Sequence, residues 1–327
     1  MAGSQYYEGV LEGVNTGYDV IIVGGGPAAL AAAVYTCRAM LKTVILEKQF
    51  LGGQLVGTEF IENYPGFPEA ISGVDLTQRM EAQAKRFGAE IRYEEVAKLT
   101  VEDGLKLVTT DVDTYASHIV ILAAGATPRK LGVPGEGDFY GAGVSYCATC
   151  DGAFFRGKDV VVAGGGDSAI TESLFLTKYV KTIQIIHRRD TLKATKIYLD
   201  EVYSNPRINI VLNATVERIY GKAGVEGVSI KNVLTQEAGD IPCQGVFVFI
   251  GSTPNTSFLG NLLCTDVGCH IETNVHMETA IKGLYAIGDV RKNSYRQIAT
   301  GVGDGVTAAI AAEHTLAEWK ASGKIKK

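Results

Sequence analysis

One supersecondary pattern occurs twice in this chain of 327 residues, and it constrains the fold more than any other feature. Each copy runs from a short apolar segment through a glycine triplet into helix-forming residues and a second apolar segment. The copies begin at Tyr18 and at Asp159. Strand, glycine turn, helix and strand in this order form a βαβ unit. Two such units about 140 residues apart predict two nucleotide-binding domains rather than a short-period repeat.

The segments around the two copies predict how the chain is divided. A helix at 74–87, antiparallel strands near 96–110 and a buried strand at 118–125 separate the copies, and a strand with a turn at 283–290 precedes a final helix at 302–319. We therefore predict an α/β fold with two Rossmann-like domains of the three-layer ββα type, the second inserted into the first. The predicted boundaries are 1–17 for an N-terminal extension, 18–127 with 256–327 for the first domain, and 128–255 for the inserted domain. Segment 127–137, which is rich in proline and glycine, and segment 251–258 are the predicted crossings between the domains.

Charge and hydropathy exclude several classes of partner. The net charge is −5, whereas nucleic acids and anionic membranes favour basic surfaces. No apolar run reaches the length that spans a bilayer, and residues 1–17 lack the basic start and apolar core of a secretory signal. We expect a cytoplasmic protein that binds neither nucleic acid nor membrane. The five histidines are scattered, so no metal site is predicted.

The first glycine turn carries a dinucleotide fingerprint. Gly24-x-Gly26-x-x-Ala29 follows a strand and opens a helix, and Glu47 ends the next strand. Glycines allow backbone N–H groups to approach a pyrophosphate, and an acid at the second strand end accepts hydrogen bonds from the adenosine ribose. An acid here favours an unphosphorylated ribose, which indicates FAD or NAD rather than NADP.

The second glycine turn differs at the ribose position. Gly164-x-Gly166-x-x-Ala169 has the same context, but its second strand ends in His187-Arg188-Arg189, with Lys193 further on. Guanidinium groups suit the 2′-phosphate of NADP, although a solvated basic strand end is the alternative. One flavin-type and one NADPH-type site in a single chain indicate hydride transfer from nicotinamide to flavin.

A cysteine pair precedes the second fingerprint. Cys147 and Cys150 form a C-x-x-C motif, which could be half a zinc site, two core residues or a redox dithiol. No second C-x-x-C completes a zinc site, so the redox dithiol is favoured. Asp151 is either a general acid for the thiolates or a turn cap. The remaining cysteines are interpreted as a buried apolar residue at Cys37 and incidental thiols at Cys243, Cys264 and Cys269.

Taken together, these motifs resemble one family. GGGPAAL, GGQL, ENYPG, AAGATPRKLGVPGE, CATCDG, GGGDSA, HRRD, GLYAIGDV and YRQI occur in the order typical of the low-molecular-weight NADPH-dependent thioredoxin reductases. The resemblance covers the chain after about Asp19. It implies a homodimeric flavoprotein whose inserted NADPH domain carries the redox-active dithiol.

The resemblance also implies site residues. Cys147 would attack the partner disulfide, Cys150 would face the flavin and Asp151 would be the acid. The implied FAD contacts are Gly24, Gly26, Pro27, Ala28, Ala29, Glu47, Gly53, Gln54, Asn63, Gly288, Asp289, Arg296, Gln297 and Ile298. The implied NADPH contacts are Gly164, Gly166, Asp167, Ser168, His187, Arg188, Arg189 and Lys193. Lys193 stands where the family usually has arginine, which predicts a weaker preference for NADPH over NADH.

The implied activity is electron transfer from NADPH through FAD to the Cys147–Cys150 disulfide and on to thioredoxin. Because the nicotinamide site and the dithiol share one domain, that domain is expected to rotate between steps. Two alternatives stay open. One is a disulfide reductase or oxidase of the same fold with another substrate, and the other is a flavin-binding redox sensor without turnover.

Overall fold

The structure, a computed structural model, describes residues 13–58, 60–263 and 268–325. The strands are β1 Val20–Val23, β2 Thr43–Glu47, β3 Glu90–Tyr93, β4 Val96–Glu102, β5 Leu105–Thr110, β6 Thr114–Ser117, β7 Ile119–Leu122, β8 Ala126–Pro128, β9 Val144–Ser145, β10 Asp159–Ala163, β11 Thr182–Ile186, β12 Ile208–Val211, β13 Ala214–Gly221, β14 Val225–Asn232, β15 Ala238–Pro242, β16 Gly245–Val248, β17 Ser252–Pro254 and β18 Leu284–Ala286. The helices are α1 Pro27–Arg38, α2 Gly73–Arg86, α3 Ala148–Asp151, α4 Asp167–Leu176, α5 Lys196–Ser204 and α6 Ile298–Ala321. In these parts of the chain no helix is long and apolar enough to cross a membrane.

The described chain divides into two compact units. The first unit combines the residues up to Thr127 with those from Thr253 onward, and the second spans Pro128–Ser252. Most strands belong to a parallel sheet or an antiparallel sheet within one unit, while β8 and β17 form a two-stranded sheet of their own.

The first unit has three layers around a parallel sheet of order β18-β7-β1-β2-β3. Alternate residues of β1 point to opposite faces, as strand geometry requires. Val20 and Ile22 join a core with α1 and α6, whereas Ile21 and Val23 join a core with the antiparallel sheet β4-β5-β6. Burial on both faces explains why these strands are continuous apolar runs in the sequence.

The second unit repeats the arrangement with a parallel sheet of order β12-β11-β10-β16-β9. Val160 and Val162 pack in a core with α4 and α5, and Val161 and Ala163 pack in a core with the antiparallel sheet β13-β14-β15. The predicted α/β class, with two Rossmann-like units of which the second is inserted into the first, is confirmed.

The structure departs from the predicted elements in a few places. Helix α6 begins at Ile298 rather than near Val302. The antiparallel sheet β13-β14-β15 was not predicted at all. Its first two strands pair with two register shifts, and its third strand is largely exposed, so apolar alternation is weak there. Of the predicted N-terminal extension, residues 1–12 lie outside the described residues.

Small residues let the last helix lie directly on the first. A Cβ atom at Gly305 of α6 would overlap the carbonyl oxygen of Ala28 in α1, and one at Gly301 would lie 3.6 Å from the Ala28 Cβ. Ala308 and Ala312 continue the contact in the same core. The C-terminal helix is therefore held close to the helix that follows the first glycine turn.

A fully buried lysine ties together three loops of the first unit. Lys106 Nζ donates to the carbonyl oxygens of Gly104 at 3.0 Å, His118 at 2.8 Å and Lys282 at 2.5 Å. The ammonium also lies 5.5 Å from the centre of the Trp319 ring. Burial lowers the pKa of Lys106 to about 8. The carbonyl oxygens compensate for the loss of water around this cation.

We expect Lys106→Met to reduce the free energy of unfolding by about 3 kcal/mol, because three carbonyl oxygens lose their buried donor. Urea unfolding measures the change. Lys98→Met on the neighbouring strand β4 is the matched control, since Lys98 is exposed and the unfolding free energy should stay the same. Equal stability of the Lys106 variant and the parent would show that the ammonium does not support this part of the fold.

Candidate active site

The first glycine turn connects β1 to α1 in a conformation that requires glycine. Gly24 has φ +101°, and a Cβ atom there would lie 2.5 Å from the carbonyl oxygen of Ala123. A Cβ atom at Gly26, by contrast, would meet open space, and Gly53 borders the same space from the loop after β2. The open side of Gly26, at the start of α1, is where backbone N–H groups are available to a phosphate.

The acid at the end of β2 lies against this turn. Glu47 Oε2 accepts a hydrogen bond of 2.7 Å from the Gly25 backbone N–H, and Oε1 accepts one of 3.1 Å from Gln49. A Cβ atom at Gly25 would lie 3.0 Å from Glu47 Cγ, so only glycine leaves room for the carboxylate. The structure thus brings together the turn and the acid that the sequence separates by more than twenty residues.

The remaining predicted flavin residues meet around the same turn. Gln54 donates to Asp289 at 3.2 Å and to the Ala126 carbonyl at 2.8 Å, and Asn63 donates to Gln297 at 3.3 Å. The site therefore combines two chain segments more than 230 residues apart. The other predicted flavin residues lie nearby in the fold. Pro27, Ala28 and Ala29 form the first turn of α1, and Gly288 lies beside that helix. Arg296 precedes α6, and Ile298 begins it.

A buried ion pair, which the sequence prediction missed, holds the Gly288–Asp289 turn. Asp304 of α6 accepts from the Gly288 N–H at 3.0 Å and from Arg291 Nε at 2.8 Å. Burial raises the pKa of Asp289 above its ordinary value, while Arg296, Ser294 and other donors lower it. Asp304 occurs on an otherwise small-residue face of α6, and this isolated charge is the signal that could have identified it.

The second glycine turn connects β10 to α4. A Cβ atom at Gly165 would overlap the imidazole ring of His187, which places the histidine at the end of β11 directly on the turn. A Cβ atom at Gly166 would have only the Lys193 carbonyl oxygen near it, at 3.8 Å, so this side of the turn is open. Gly164 lies against the carbonyl of Phe249, as Gly24 does against Ala123.

The loop after β11 is tied to the start of α4. Lys193 N–H donates to the Gly165 carbonyl at 2.7 Å, and Asp167 Oδ1 accepts from Thr195 N–H at 2.8 Å and from its hydroxyl at 2.9 Å. These bonds hold the basic loop beside the glycine turn. The predicted polar residues on this side are all exposed: Ser168, Arg188, Arg189 and Lys193.

The two cysteines of the C-x-x-C motif form a disulfide. Their Cα atoms lie 5.3 Å apart, and Cys147 precedes the short helix α3. Cys147 Sγ accepts a hydrogen bond of 3.2 Å from the Cys150 backbone N–H and lies 3.4 Å from the Thr149 hydroxyl. Two donors at this sulfur favour negative charge on it once the disulfide is opened. Thr149 was not predicted, although its place inside the motif could have indicated it.

Asp151 lies at the end of α3 with its carboxyl partly buried. Oδ2 accepts a 2.5 Å hydrogen bond from the Ser145 hydroxyl, and Ser145 in turn accepts from the Cys147 N–H at 3.1 Å. Burial raises the pKa of Asp151, and the hydrogen bond from Ser145 lowers it. The larger effect is burial, so Asp151 keeps its proton at higher pH than an exposed aspartate does.

The described cysteines outside the C-x-x-C motif differ in state. Cys37 and Cys243 are buried free thiols, and burial raises the pKa of Cys243 to about 12. Cys269 is disulfide-bonded, so the prediction of a thiol there is wrong. Cys264 lies outside the described residues. Within the described ranges, no three His, Cys, Asp or Glu side chains group as metal ligands.

The residues of each glycine turn fit the dinucleotide that its sequence predicts. Each has an open glycine face at a helix start, together with a polar side chain at the end of the following strand. One strand end supplies a carboxylate and the other supplies an imidazole followed by two guanidinium groups. These donors and acceptors can hold two dinucleotides with different ribose chemistry.

Comparison with known proteins agrees with this geometry. The chain matches the pyridine nucleotide-disulphide oxidoreductase family over residues 18–305. It is 46% identical to thioredoxin reductase from Treponema pallidum over 91% of this chain and 97% of that protein, and 44% identical to thioredoxin reductase from Bacillus subtilis over 92% and 95%. The crystal structure of thioredoxin reductase from Streptococcus pyogenes superposes with a TM-score of 0.86 at 42% identity, covering 92% of this chain and 98% of that one. The chain therefore belongs to the pyridine nucleotide-disulphide oxidoreductase family and, within it, to the thioredoxin reductases.

Proposed function

We propose that this protein is an NADPH-dependent thioredoxin reductase that uses FAD and the Cys147–Cys150 disulfide. The observation that carries the proposal is the disulfide itself, which lies in the same unit as a glycine turn and beside a partly buried acid. The two relatives described above, which match more than nine tenths of the chain, bear the name thioredoxin reductase. A sensor without turnover would not need the acid beside the dithiol.

FAD is assigned to the first unit. Glu47 at the first turn would hold the adenosine ribose, and the Gly26 and Gly53 faces would accept the pyrophosphate. Gln54 and Asp289, which hydrogen-bond each other, would line the rest of the site. When bound, FAD supplies a carrier that takes up two electrons from a nicotinamide and passes two to a disulfide.

NADPH is assigned to the second unit as the reductant. Arg188 and Arg189 are exposed at the end of β11, where a 2′-phosphate would be bound by charge-assisted hydrogen bonds. His187 packs on the glycine turn and fixes where the two arginines begin. Lys193 adds a positive charge without the bidentate geometry of arginine.

The dithiol and Asp151 perform the exchange with the substrate disulfide. After reduction, the Cys147 thiolate attacks one sulfur of the substrate, forming a mixed disulfide and releasing a substrate thiolate. Cys150 then attacks Cys147 Sγ, which closes the enzyme disulfide and releases the second substrate thiolate. Asp151 donates a proton to a departing thiolate and recovers one from Cys150 as that thiol ionises. Two electrons and one proton leave the enzyme in each cycle, and the second substrate thiolate takes its proton from solvent.

In the proposed catalytic cycle the second unit both binds NADPH and carries the dithiol. It carries both the NADPH turn and the dithiol, whereas the flavin residues all belong to the first unit. Each duty requires access to the same flavin, so the second unit must present the two groups in turn, by rotation. We also propose a homodimer, on the sequence resemblance described above, and a location in the cytoplasm, as the sequence led us to expect. Sedimentation of the purified protein tests the dimer.

Turnover with NADPH and a panel of small disulfide proteins tests the proposal. We expect NADPH to bleach the yellow protein, and oxidised thioredoxin to restore the colour with steady NADPH consumption. Absence of bleaching would contradict the proposed electron path. Bleaching with no thioredoxin reduction, but with turnover of another disulfide in the panel, would replace the substrate and leave the dithiol chemistry in place.

A further inference from the structure

The buried side chain of Ser145 forms hydrogen bonds with both ends of the dithiol segment, which runs from Cys147 to Asp151. The residue is 2% exposed and ends strand β9, where it pairs with Phe247 of β16. Its Oγ donates to Asp151 Oδ2 at 2.5 Å and accepts from the Cys147 N–H at 3.1 Å. A single side chain on the sheet thus contacts both the residue of the attacking thiol and the acid.

Ser145 connects a strand of the parallel sheet to a very short helix. Strand β9 is part of the buried parallel sheet, whereas α3 is a helix of four residues. The segment is closed on itself by the Asp151 N–H, which donates to the Cys147 carbonyl at 3.1 Å. The Ser145 hydroxyl ties this closed turn to the sheet, so the carboxyl of Asp151 keeps its place relative to the sulfur atoms.

A hydroxyl suits a carboxyl that changes its protonation state. A serine can donate one hydrogen bond and accept two. When Asp151 is ionised, Ser145 donates to it. When Asp151 is protonated on Oδ2, Ser145 accepts from it, and the hydroxyl hydrogen can turn to the Cys147 carbonyl oxygen, 3.3 Å away. A backbone N–H or a lysine in this place would stabilise only the ionised carboxylate.

We propose that Ser145 is a positioning residue that holds the carboxyl of Asp151 beside the dithiol in both of its protonation states. The inference rests on the proposed function, because the acid role of Asp151 is part of that function.

The groups around Asp151 determine whether its pKa rises or falls when Ser145 is replaced. Ser145 approaches from β9, and Tyr140 approaches from the turn before β9; burial and the charge of Asp151 raise the pKa of Tyr140. Burial raises the pKa of Asp151, and the Ser145 hydrogen bond lowers it. Removing the hydroxyl withdraws a hydrogen bond that lowers the pKa of this carboxylate, so the pKa of Asp151 should rise further.

Infrared difference spectroscopy measures this carboxyl directly in the FAD-loaded protein. The protonated Asp151 band is identified by its loss in Asp151→Asn. In Ser145→Ala both protonation states of Asp151 lose a hydrogen bond, but the bond to the ionised form is charge-assisted and is the stronger of the two. We therefore expect the midpoint of that band to move upward by about one pH unit. Ser145→Thr keeps the hydroxyl and should return the midpoint to that of the parent.

A second measurement separates positioning from general damage to the fold. In Ser145→Ala the rate of flavin reduction by NADPH should equal that of the parent, while the alkaline fall of thioredoxin reduction moves upward with the infrared midpoint. An unchanged Asp151 midpoint in Ser145→Ala overturns the inference, whether or not thioredoxin is a substrate. A shifted midpoint without any thioredoxin turnover supports the inference and contradicts only the proposed substrate.

Discussion

Replacing Cys150 by serine will abolish disulfide reduction while NADPH still bleaches the flavin at the rate of the parent. The two sulfurs form one bond in the structure, and the proposed cycle closes only when Cys150 attacks Cys147 Sγ. A serine oxygen at position 150 cannot perform this attack, so at most one substrate molecule is captured as a mixed disulfide. Cys147→Ser should abolish turnover as completely, but without forming the mixed disulfide.

Anaerobic rapid mixing with NADPH and steady-state assay with thioredoxin measure the two half-reactions separately. Cys243→Ala is the matched control, because Cys243 is a buried free thiol in the same unit. Its turnover should match that of the parent. Loss of flavin reduction in Cys150→Ser would contradict the assigned roles, and so would thioredoxin reduction at the parent rate.

Replacing Arg188 and Arg189 together by alanine will lower kcat/KM for NADPH by about 100- to 1000-fold, because the charge-assisted hydrogen bonds that we propose for each guanidinium to the 2′-phosphate would be lost. The same variant should use NADH as the parent does, since NADH carries no phosphate there. Both side chains are exposed at the end of β11, so the fold should not change.

Flavin reduction at varied NADPH and NADH concentrations gives both constants for this variant. Arg218→Ala provides the control, because Arg218 is exposed on β13 of the same unit and should leave both constants unchanged. An equal loss for NADPH and NADH would show that the arginines support the loop rather than the phosphate. No loss for either would place the ribose phosphate elsewhere.

Local sequence predicted the parts of the site that lie within one βαβ unit. The positions of Glu47 and His187 follow from strand ends, because parallel strands bring their carboxyl ends to one edge of the sheet. Contacts between distant segments could not be predicted in this way. Asn63 and Gln297 approach each other only because β18 and α6 return to the first unit.

Ser145 shows a different limit of sequence reasoning. A serine two residues before a cysteine carries no signal of its own, since its role depends on burial and on the direction of β9. The antiparallel sheet β13-β14-β15 was missed for a related reason. Its strands contain many polar and glycine residues, and only one face of β13 and β14 packs in a core.

The interleaving of the two units has a consequence for synthesis on the ribosome. The second unit is one continuous stretch, so it can fold as soon as it has emerged. The first unit must wait for β18, and until then β7 is the edge of its sheet. The four residues of β7 are all apolar and all buried in the finished protein. An uncovered apolar edge strand attracts other chains. The nascent protein therefore exposes an aggregation-prone edge strand while the inserted unit and the following loops are translated. Pairing of β18 with β7 ends this exposure.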